Sequence, residues 1–306
     1  MVQVSIVIPV YNQAAFVRAA IDSVLEQVCD FDVEVIVIDD GSTDGVISVL
    51  ETYENRIYFE SRSNRGQSAS LNFGWSLAKG EIIGYLSADD ALLPGSIQKL
   101  HTAVKESANA VAVYGDYFSI DENDKVIRQV RTKAFDFEMA LLRLECPPGP
   151  GALFYKSAYD EVGGWDESIW RFPDYDFWLR MGNIGSLMRI DEKVALWRVH
   201  EGSQAFGGIS FQRAEEPNVI IENFFCQIEL SPKIFNLRLK STSSALLVSG
   251  QLHARSNRYK IAFARFFRAI ILDPTKLIEI RTFHLIVNAF FQQTGHRLLV
   301  AIRKHT

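Results

Sequence analysis

Cysteine is scarce in this chain of 306 residues: Cys29, Cys146 and Cys226 are the full set, far apart in sequence. That spacing makes neither a redox pair nor a metal clip, and it favours structural thiols in a reducing compartment. Long hydrophobic runs are missing too. No uncharged apolar stretch reaches the roughly 18 residues a spanning helix needs, and no basic start followed by an apolar run resembles a signal peptide. Residence in the cytoplasm is therefore expected. Nor does a G-x-G-x-x-G follow the first apolar run, and G-x-x-x-x-G-K-[ST] occurs nowhere. These absences argue against a Rossmann dinucleotide site and a P-loop, so a phosphate-bearing ligand would need another source of positive charge.

What is present is a large apolar fraction, 48%, with 23% charged residues, enough for one or two domains with a sizeable core. The net charge of −5 is unevenly spread. From Ser231 onward thirteen Lys/Arg face only Asp273 and Glu279, a net of +11, which leaves −16 for residues 1–230. Two stretches of opposite charge imply two surfaces with different partners.

The acidic part alternates short β-branched runs with helical spacing. VSIVIPVY (4–11), VEVIVIDDGSTD (33–44), IYFESRS (57–63) and EIIGYLSADD (81–90) read as strands, and AAFVRAAIDSVLEQ, a segment reaching about Tyr53 and SASLNFGWSLAKG (68–80) as helices. Nearly continuous apolar strands alternating with helices predict an α/β fold with a parallel sheet covered on both faces. In such sheets ligands bind beyond the carboxyl ends of the strands. Three of the apolar runs release polar residues there: Tyr11-Asn12, Asp39-Asp40-Gly41-Ser42 and Ser87-Ala88-Asp89-Asp90. Adjacent carboxylates at a strand end either hold Mg²⁺ or Mn²⁺, leaving open positions for phosphates, or cap the following segment.

Taken in order, SIVIPVYN (5–12), VIDDGSTD (37–44), NRGQSASLNFG (64–74), YLSADDALLPG (85–95), GGWDES (163–168), PDYDFWLR (173–180) and WRVHEGS (197–203) resemble the signatures of family 2 glycosyltransferases of the GT-A fold. The resemblance covers roughly residues 4 to 205. It implies a GT-A domain over 1–205, with a mainly parallel central sheet flanked by helices, followed by a helical, basic region over 206–306. It also implies an inverting, metal-dependent transfer of sugar from a nucleotide-diphosphate donor to a hydroxyl of a glycan or lipid-linked acceptor, in polysaccharide or cell-surface glycan synthesis. No nucleic-acid partner is expected. The rival reading is a non-catalytic nucleotide-sugar-binding or scaffold protein of the same fold.

By this resemblance Pro9, Tyr11, Asn12, Asp39, Asp40, Ser42, Asn64, Arg65, Ser87 and Ala88 would face the nucleotide. Asp39 or Asp40 would accept from the base, and Arg65 would reach a phosphate. The family's Asp-x-Asp is Ser87-Ala88-Asp89 here, so the first acid is missing. Asp89, with His200, would hold Mn²⁺ or Mg²⁺. Asp174 aligns with the catalytic base, which takes the acceptor proton. The position before it, commonly Glu, is Pro173. Trp165 would stack on a sugar at the acceptor side or serve as packing. Asp176 would interact with a helix start.

ECPPGPGALFYK (145–156) is too rich in Pro and Gly for regular structure and reads as a loop. Beyond about residue 206 helical periodicity takes over. Residues 244–274 read as two amphipathic helices broken near Ser256-Asn257, like a single tetratricopeptide-type unit. The last stretch, FHLIVNAFFQQTGHRLLVAIRKHT, mixes apolar and basic residues without an acid. It suits either the surface of an anionic membrane, at its inner face, or packing on the catalytic domain or on a homodimer partner.

Overall fold

A computed structural model describes residues 2–200, 209–226 and 230–287. They form two compact units. The first takes the chain as far as Phe135, then Cys146–Ser168 and the segment from Pro173; the second takes Asp136–Glu145, Ile169–Phe172 and the described residues from 209 on. Two short segments that precede residue 205 thus fold with the second unit.

The strands are β1 (Val2–Val10), β2 (Asp32–Asp39), β3 (Tyr58–Ser61), β4 (Ile82–Tyr85), β5 (Ala91–Leu92), β6 (Ala110–Ile120), β7 (Val126–Val130), β8 (Leu153–Tyr155) and β9 (Ser186–Arg198). The helices are α1 (Val17–Leu25), α2 (Val46–Glu51), α3 (Gln67–Leu77), α4 (Ser96–Glu106), α5 (Phe137–Arg143), α6 (Lys156–Val162), α7 (Pro173–Ile184), α8 (Phe211–Phe225), α9 (Pro232–Phe235), α10 (Arg238–Arg255) and α11 (Tyr259–Leu272).

The first unit is one mixed sheet in the order β3-β2-β1-β4-β8-β6-β9-β5, with β7 on β6. Side chains alternate across a strand, so a strand buried on both faces is apolar wherever a side chain lacks a polar partner, and in β1 the buried Ser5 hydroxyl has one in Glu34. β1 shows this: Val4, Ile6, Ile8 and Val10 join α1, α2 and α4 in one cluster, whereas Val7 joins Leu71 and Trp75 of α3 with Phe177 and Trp178 of α7 in the other. Burying each such large side chain contributes about 1.5–3 kcal/mol.

β3, β2, β1 and β4 are parallel neighbours, so the ends of β1, β2 and β4 deliver residues 11–12, 39–42 and 87–90 to a single sheet edge. Beyond β4 the sheet departs from the parallel pattern. The Pro/Gly-rich stretch 145–156 is not loop throughout: Leu153–Tyr155 is β8, antiparallel to both β4 and β6. Only its last residues carry side chains fit for a strand, and the neighbouring strands supply the pairing that the Pro/Gly composition hides.

The second unit is helical in its described residues. The two helices expected over 244–274 are α10 and α11, separated at 256–258 where Asn257 takes φ 62°. Gly250 lets them close, since a Cβ there would lie 2.5 Å from Phe266 Cε1. His253, fully buried, meets Glu215 Oε1 at 2.7 Å and accepts from Arg258 Nε at 2.7 Å, tying α8 to α10 and the start of α11. No helix among the described residues is long and apolar enough to cross a membrane. The basic stretch from residue 288 on, where most of the membrane expectation falls, lies outside the described residues.

Candidate active site

The site is built within the first unit. Its nucleotide side is a set of loops held by the strand-end acids. Asp39 is fully buried; it accepts from the Ser42 amide at 3.0 Å and from the Ser61 hydroxyl at 2.6 Å. Asp40 clasps the loop before α3, its two oxygens accepting from the Arg65 and Gly66 amides at 2.8 Å each. Asn12 bends with φ 52°, donates its amide N–H to Ser42 Oγ at 2.8 Å and accepts from the Thr43 amide at 2.8 Å. Asn12, Asp39 and Ser42 are therefore hydrogen-bonded into one edge, and Asp40 fastens the neighbouring loop before α3. Pro9, near the end of β1, is buried, while Tyr11 remains 50% exposed. Asn64 and Arg65 are exposed. The Arg65 guanidinium meets Glu167 at 3.2 Å, linking this loop to the GGWDES segment.

The carboxylate pair owes its geometry to strand register. β5 runs antiparallel to β9 with Ala91 opposite Leu196, so the chain just before β5 meets the chain just after Leu196. Asp89 Oδ2 then lies 3.0 Å from His200 Nε2. Asp90 faces away: its Oδ1 accepts the Arg198 amide at 2.9 Å. Of the two readings offered for the carboxylate pair, capping does not describe Asp90: Gly95 occupies the N-cap of α4, and Asp90 fastens the end of β9. Burial, and next the charge of Asp89, hold the Asp90 carboxyl well above the usual aspartate range, with Arg198 acting in the opposite sense.

Arg198 is a residue that sequence reasoning passed over. Only 3% exposed, it donates Nε–H to the Asp89 carbonyl at 2.8 Å, and its terminal nitrogens reach the Asp121 carbonyl at 3.0 Å and Asp124 Oδ1 at 2.7 Å. Its guanidinium sits 5.0 Å from the Phe16 ring centroid, and that ring is 5.0 Å from the His200 ring. Phe16 and Arg198 thus fix both partners of the Asp89–His200 pair. Ser87 is half-buried and Ala88 buried beside them.

Among the described residues no three His, Cys, Asp or Glu side chains are grouped to hold a metal. Asp89 and His200 supply two converging donors, one oxygen and one imidazole nitrogen, a set that suits Mn²⁺ and tolerates Mg²⁺. The residues fit a cation that takes the rest of its shell from phosphate oxygens and water.

Asp174 stands in the first turn of α7, behind Pro173 at the first helical position, where the missing N–H costs nothing. Its Oδ1 accepts the Tyr175 amide at 2.8 Å. Burial raises its pKa, and backbone hydrogen bonds offset part of that rise. Tyr85 is a second residue missed in the sequence. Its phenol is pushed well above its ordinary pKa by burial and then by the charges of Asp174, Cys146 and Asp90, which keeps it neutral.

Asp176, expected at a helix start, does more. It pairs with Arg180 one turn on at 2.7 Å, and Arg180 donates to the carbonyls of Val162, Gly163 and Gly164 at 2.6, 3.2 and 2.7 Å. The Asp-x-x-x-Arg spacing in PDYDFWLR was the available signal. Trp165 in that held loop is 4% exposed, its ring 5.1 Å from Tyr85 and 6.1 Å from Trp75. The sugar-stacking role offered for it is corrected to packing, because its ring is enclosed by other aromatic rings. Asn72 secures its backbone, donating to the Trp165 carbonyl at 2.8 Å and accepting its amide at 2.9 Å.

Known proteins resemble this chain in sequence and in fold. The profile of Glycosyl transferase family 2 matches residues 5–163, and the chain belongs to that family. An uncharacterized glycosyltransferase of Rickettsia felis is 29% identical over 235 residues, covering 74% of this chain and 38% of that one. Chondroitin synthase of Escherichia coli is 30% identical over 203 residues, 65% of this chain and 29% of that one. The chain therefore spans about a third of the length of these two relatives. Among solved structures, S. aureus TarS 1-349 in complex with UDP-GlcNAc aligns with TM-score 0.64 at 16% identity, over 89% of this chain and 91% of that one. The mannosyltransferase PcManGT from Pyrobaculum calidifontis, in complex with GDP-Man and Mn²⁺, aligns with TM-score 0.56 at 16% identity, over 95% and 87%. At these identities the structural likeness is one of fold, and it is the GT-A fold.

Proposed function

We propose that this chain transfers a sugar, with inversion, from a nucleotide-diphosphate sugar to a hydroxyl of a glycan or lipid-linked acceptor, in building a polysaccharide or cell-surface glycan. The observation that carries the reading is the convergence at one sheet edge of the Asp89–His200 pair with the loops fastened by Asp39 and Asp40. Residues at the ends of β1 and β2 bind the nucleotide, with Arg65 released from Glu167 to meet a phosphate. Asp89 and His200 would hold Mn²⁺ or Mg²⁺, which supplies charge neutralisation for the departing diphosphate.

Asp174 takes the proton from the acceptor hydroxyl. Its raised pKa makes it a stronger base than an ordinary aspartate. Tyr85, kept protonated by burial, adds no charge to the surroundings of Asp174. Asp176 and Arg180 keep the GGWDES loop in place, and the enclosed aromatic cluster around Trp165 excludes water from that side. The lost first acid of the Asp-x-Asp motif leaves Ser87 with only a hydroxyl to offer, so metal affinity should be modest.

Peripheral contact with the inner face of a membrane belongs to the same proposal. In its support, Phe267, Ile271, Leu277, Ile278, Ile280 and Phe283 are 60–84% exposed in the region that carries net charge +11. The test of donor recognition is calorimetric titration with UDP, GDP and dTDP, each with and without Mn²⁺. Binding of one nucleotide, strengthened by the metal, supports the reading; no binding of any favours a scaffold role.

A further inference from the structure

Loop 169–172 belongs to the helical unit, and a single carboxylate shapes it. Glu216 of α8, 5% exposed, accepts the Trp170 amide on Oε1 at 3.0 Å and the amides of Arg171 and Phe172 on Oε2 at 2.7 and 3.2 Å. Three consecutive amides on one carboxylate hold the loop rigidly. It presents an open aromatic and a half-buried cation. Trp170 is 55% exposed, with the Arg213 guanidinium 5.5 Å from its ring centroid. Among the described residues the buried Arg171 Nε–H has no acceptor.

Burial, with the nearby guanidinium groups of Arg255 and Arg213, depresses the Arg171 pKa, while Glu216 acts the other way. Glu216 already has both oxygens engaged by backbone amides. A half-buried guanidinium beside two like charges carries a penalty that an anion meeting its terminal nitrogens would lower.

We infer that Trp170 and Arg171 form a subsite for an anionic sugar of the acceptor. The indole lies against the face of a sugar ring, and the guanidinium takes a phosphate or carboxylate carried by that sugar through paired N–H donors. The inference rests on the glycosyltransferase reading and deepens it, because in the chain this loop runs directly into Pro173 and the proposed base Asp174. Arg213 and Arg255 contribute positive potential around the group. Trp165, the first aromatic considered for sugar contact, is enclosed, whereas Trp170, five residues on, is open.

The experiment uses the whole chain with 5-fluorotryptophan in place of Trp, the Trp170 ¹⁹F resonance being assigned with Trp170→Phe. The chain is titrated with glucose 1-phosphate, glucuronate, glucose and inorganic phosphate. Both anionic sugars, or one of them, should shift the Trp170 resonance, and the tighter of the two identifies the anion. Glucose should bind about tenfold more weakly or worse, and Arg171→Gln should weaken the anionic sugars by a similar factor, as expected for loss of a charged hydrogen bond. Arg171→Lys should restore part of it.

The inference is overturned if glucose binds as well as its charged counterparts, or if inorganic phosphate matches glucose 1-phosphate while Trp170→Phe changes nothing. It is overturned also if Arg171→Gln has no effect, or if excess nucleoside diphosphate displaces the sugar, which would place it in the donor site. Should Arg171→Gln unfold by circular dichroism, Arg171→Lys and Trp170→Phe decide. Nucleotide binding by the same variants separates the two claims. Anionic sugars bound by a protein that takes no nucleotide would sink the transferase and leave the subsite, and the reverse outcome would sink the subsite alone.

Discussion

At the scale of single residues, two neighbours of identical chemistry, Asp89 and Asp90, have been given different work by what lies opposite them. Asp89 meets His200 and Asp90 meets the Arg198 amide. Asp89→Ala should therefore abolish the response of nucleotide binding to Mn²⁺ while leaving the fold intact. Asp90→Ala leaves the buried Arg198 amide without its acceptor and should cost about 1–3 kcal/mol of stability with the metal response retained. Calorimetry and denaturant melts of the two variants separate these outcomes. Asp174 carries a prediction in pH. Its base form is the deprotonated one and its pKa is raised by burial, so kcat/KM should fall as pH drops through that raised value, an acid limb above the ordinary aspartate value of about 3.9. The same shift means the fold favours the protonated form. The stability this contributes is full below the unfolded pKa and is lost as pH rises through the folded one. Asp174→Asn, neutral at every pH, should melt at a higher temperature than the native chain near pH 7, and an unchanged or lower Tm would count against the burial argument.

At the scale of elements, the parallel half of the sheet and its strand-end loops were legible in the sequence because an apolar run of strand length that breaks abruptly into a polar pair marks a buried strand reaching the sheet edge. β8 was not, because three residues inside a Pro/Gly-rich stretch become a strand only when β4 and β6 flank them. Asp89 and His200 were picked from motif resemblance, but nothing local brings positions 89 and 200 together. The pairing of β5 with β9 does so, and with it Arg198 enters the site. Trp165 and Trp170 look alike in sequence; burial alone sorts one into the core and leaves the other open. Close packing of α3 on β1 gives the test at this scale. A Cβ at Gly74 would lie 2.4 Å from Val7 Cγ1 and 3.2 Å from Ile38 Cγ1, so Gly74→Ala should cost about 1–3 kcal/mol through overpacking. It should appear as a lower urea midpoint at unchanged slope, and wild-type stability would show that the α3–β1 contact yields without strain.

At the scale of the whole molecule, the charge division remains the feature that the catalytic fold explains least. With about 1 kcal/mol per basic residue near an anionic surface, a few such residues give measurable binding that salt weakens over a Debye length of about 8 Å. The full chain should co-sediment with phosphatidylglycerol vesicles at low salt and partly release at high salt. A chain ending at Val287 should bind less. If both ignore the vesicles, and the shorter one changes its oligomeric state instead, the segment serves packing between copies. The central claim, however, is catalysis by Asp174 on a donor held at the β1–β2–β4 edge. It is tested most directly by incubating the native chain and Asp174→Asn with a panel of UDP-, GDP- and dTDP-sugars and Mn²⁺ and measuring nucleoside diphosphate released over time. Slow release by the native chain from at least one donor is expected, with a loss on the order of 10²-fold or more in Asp174→Asn and nucleotide binding unchanged; equal release by both proteins, or none by the native chain from a donor it demonstrably binds, would remove Asp174 as the base.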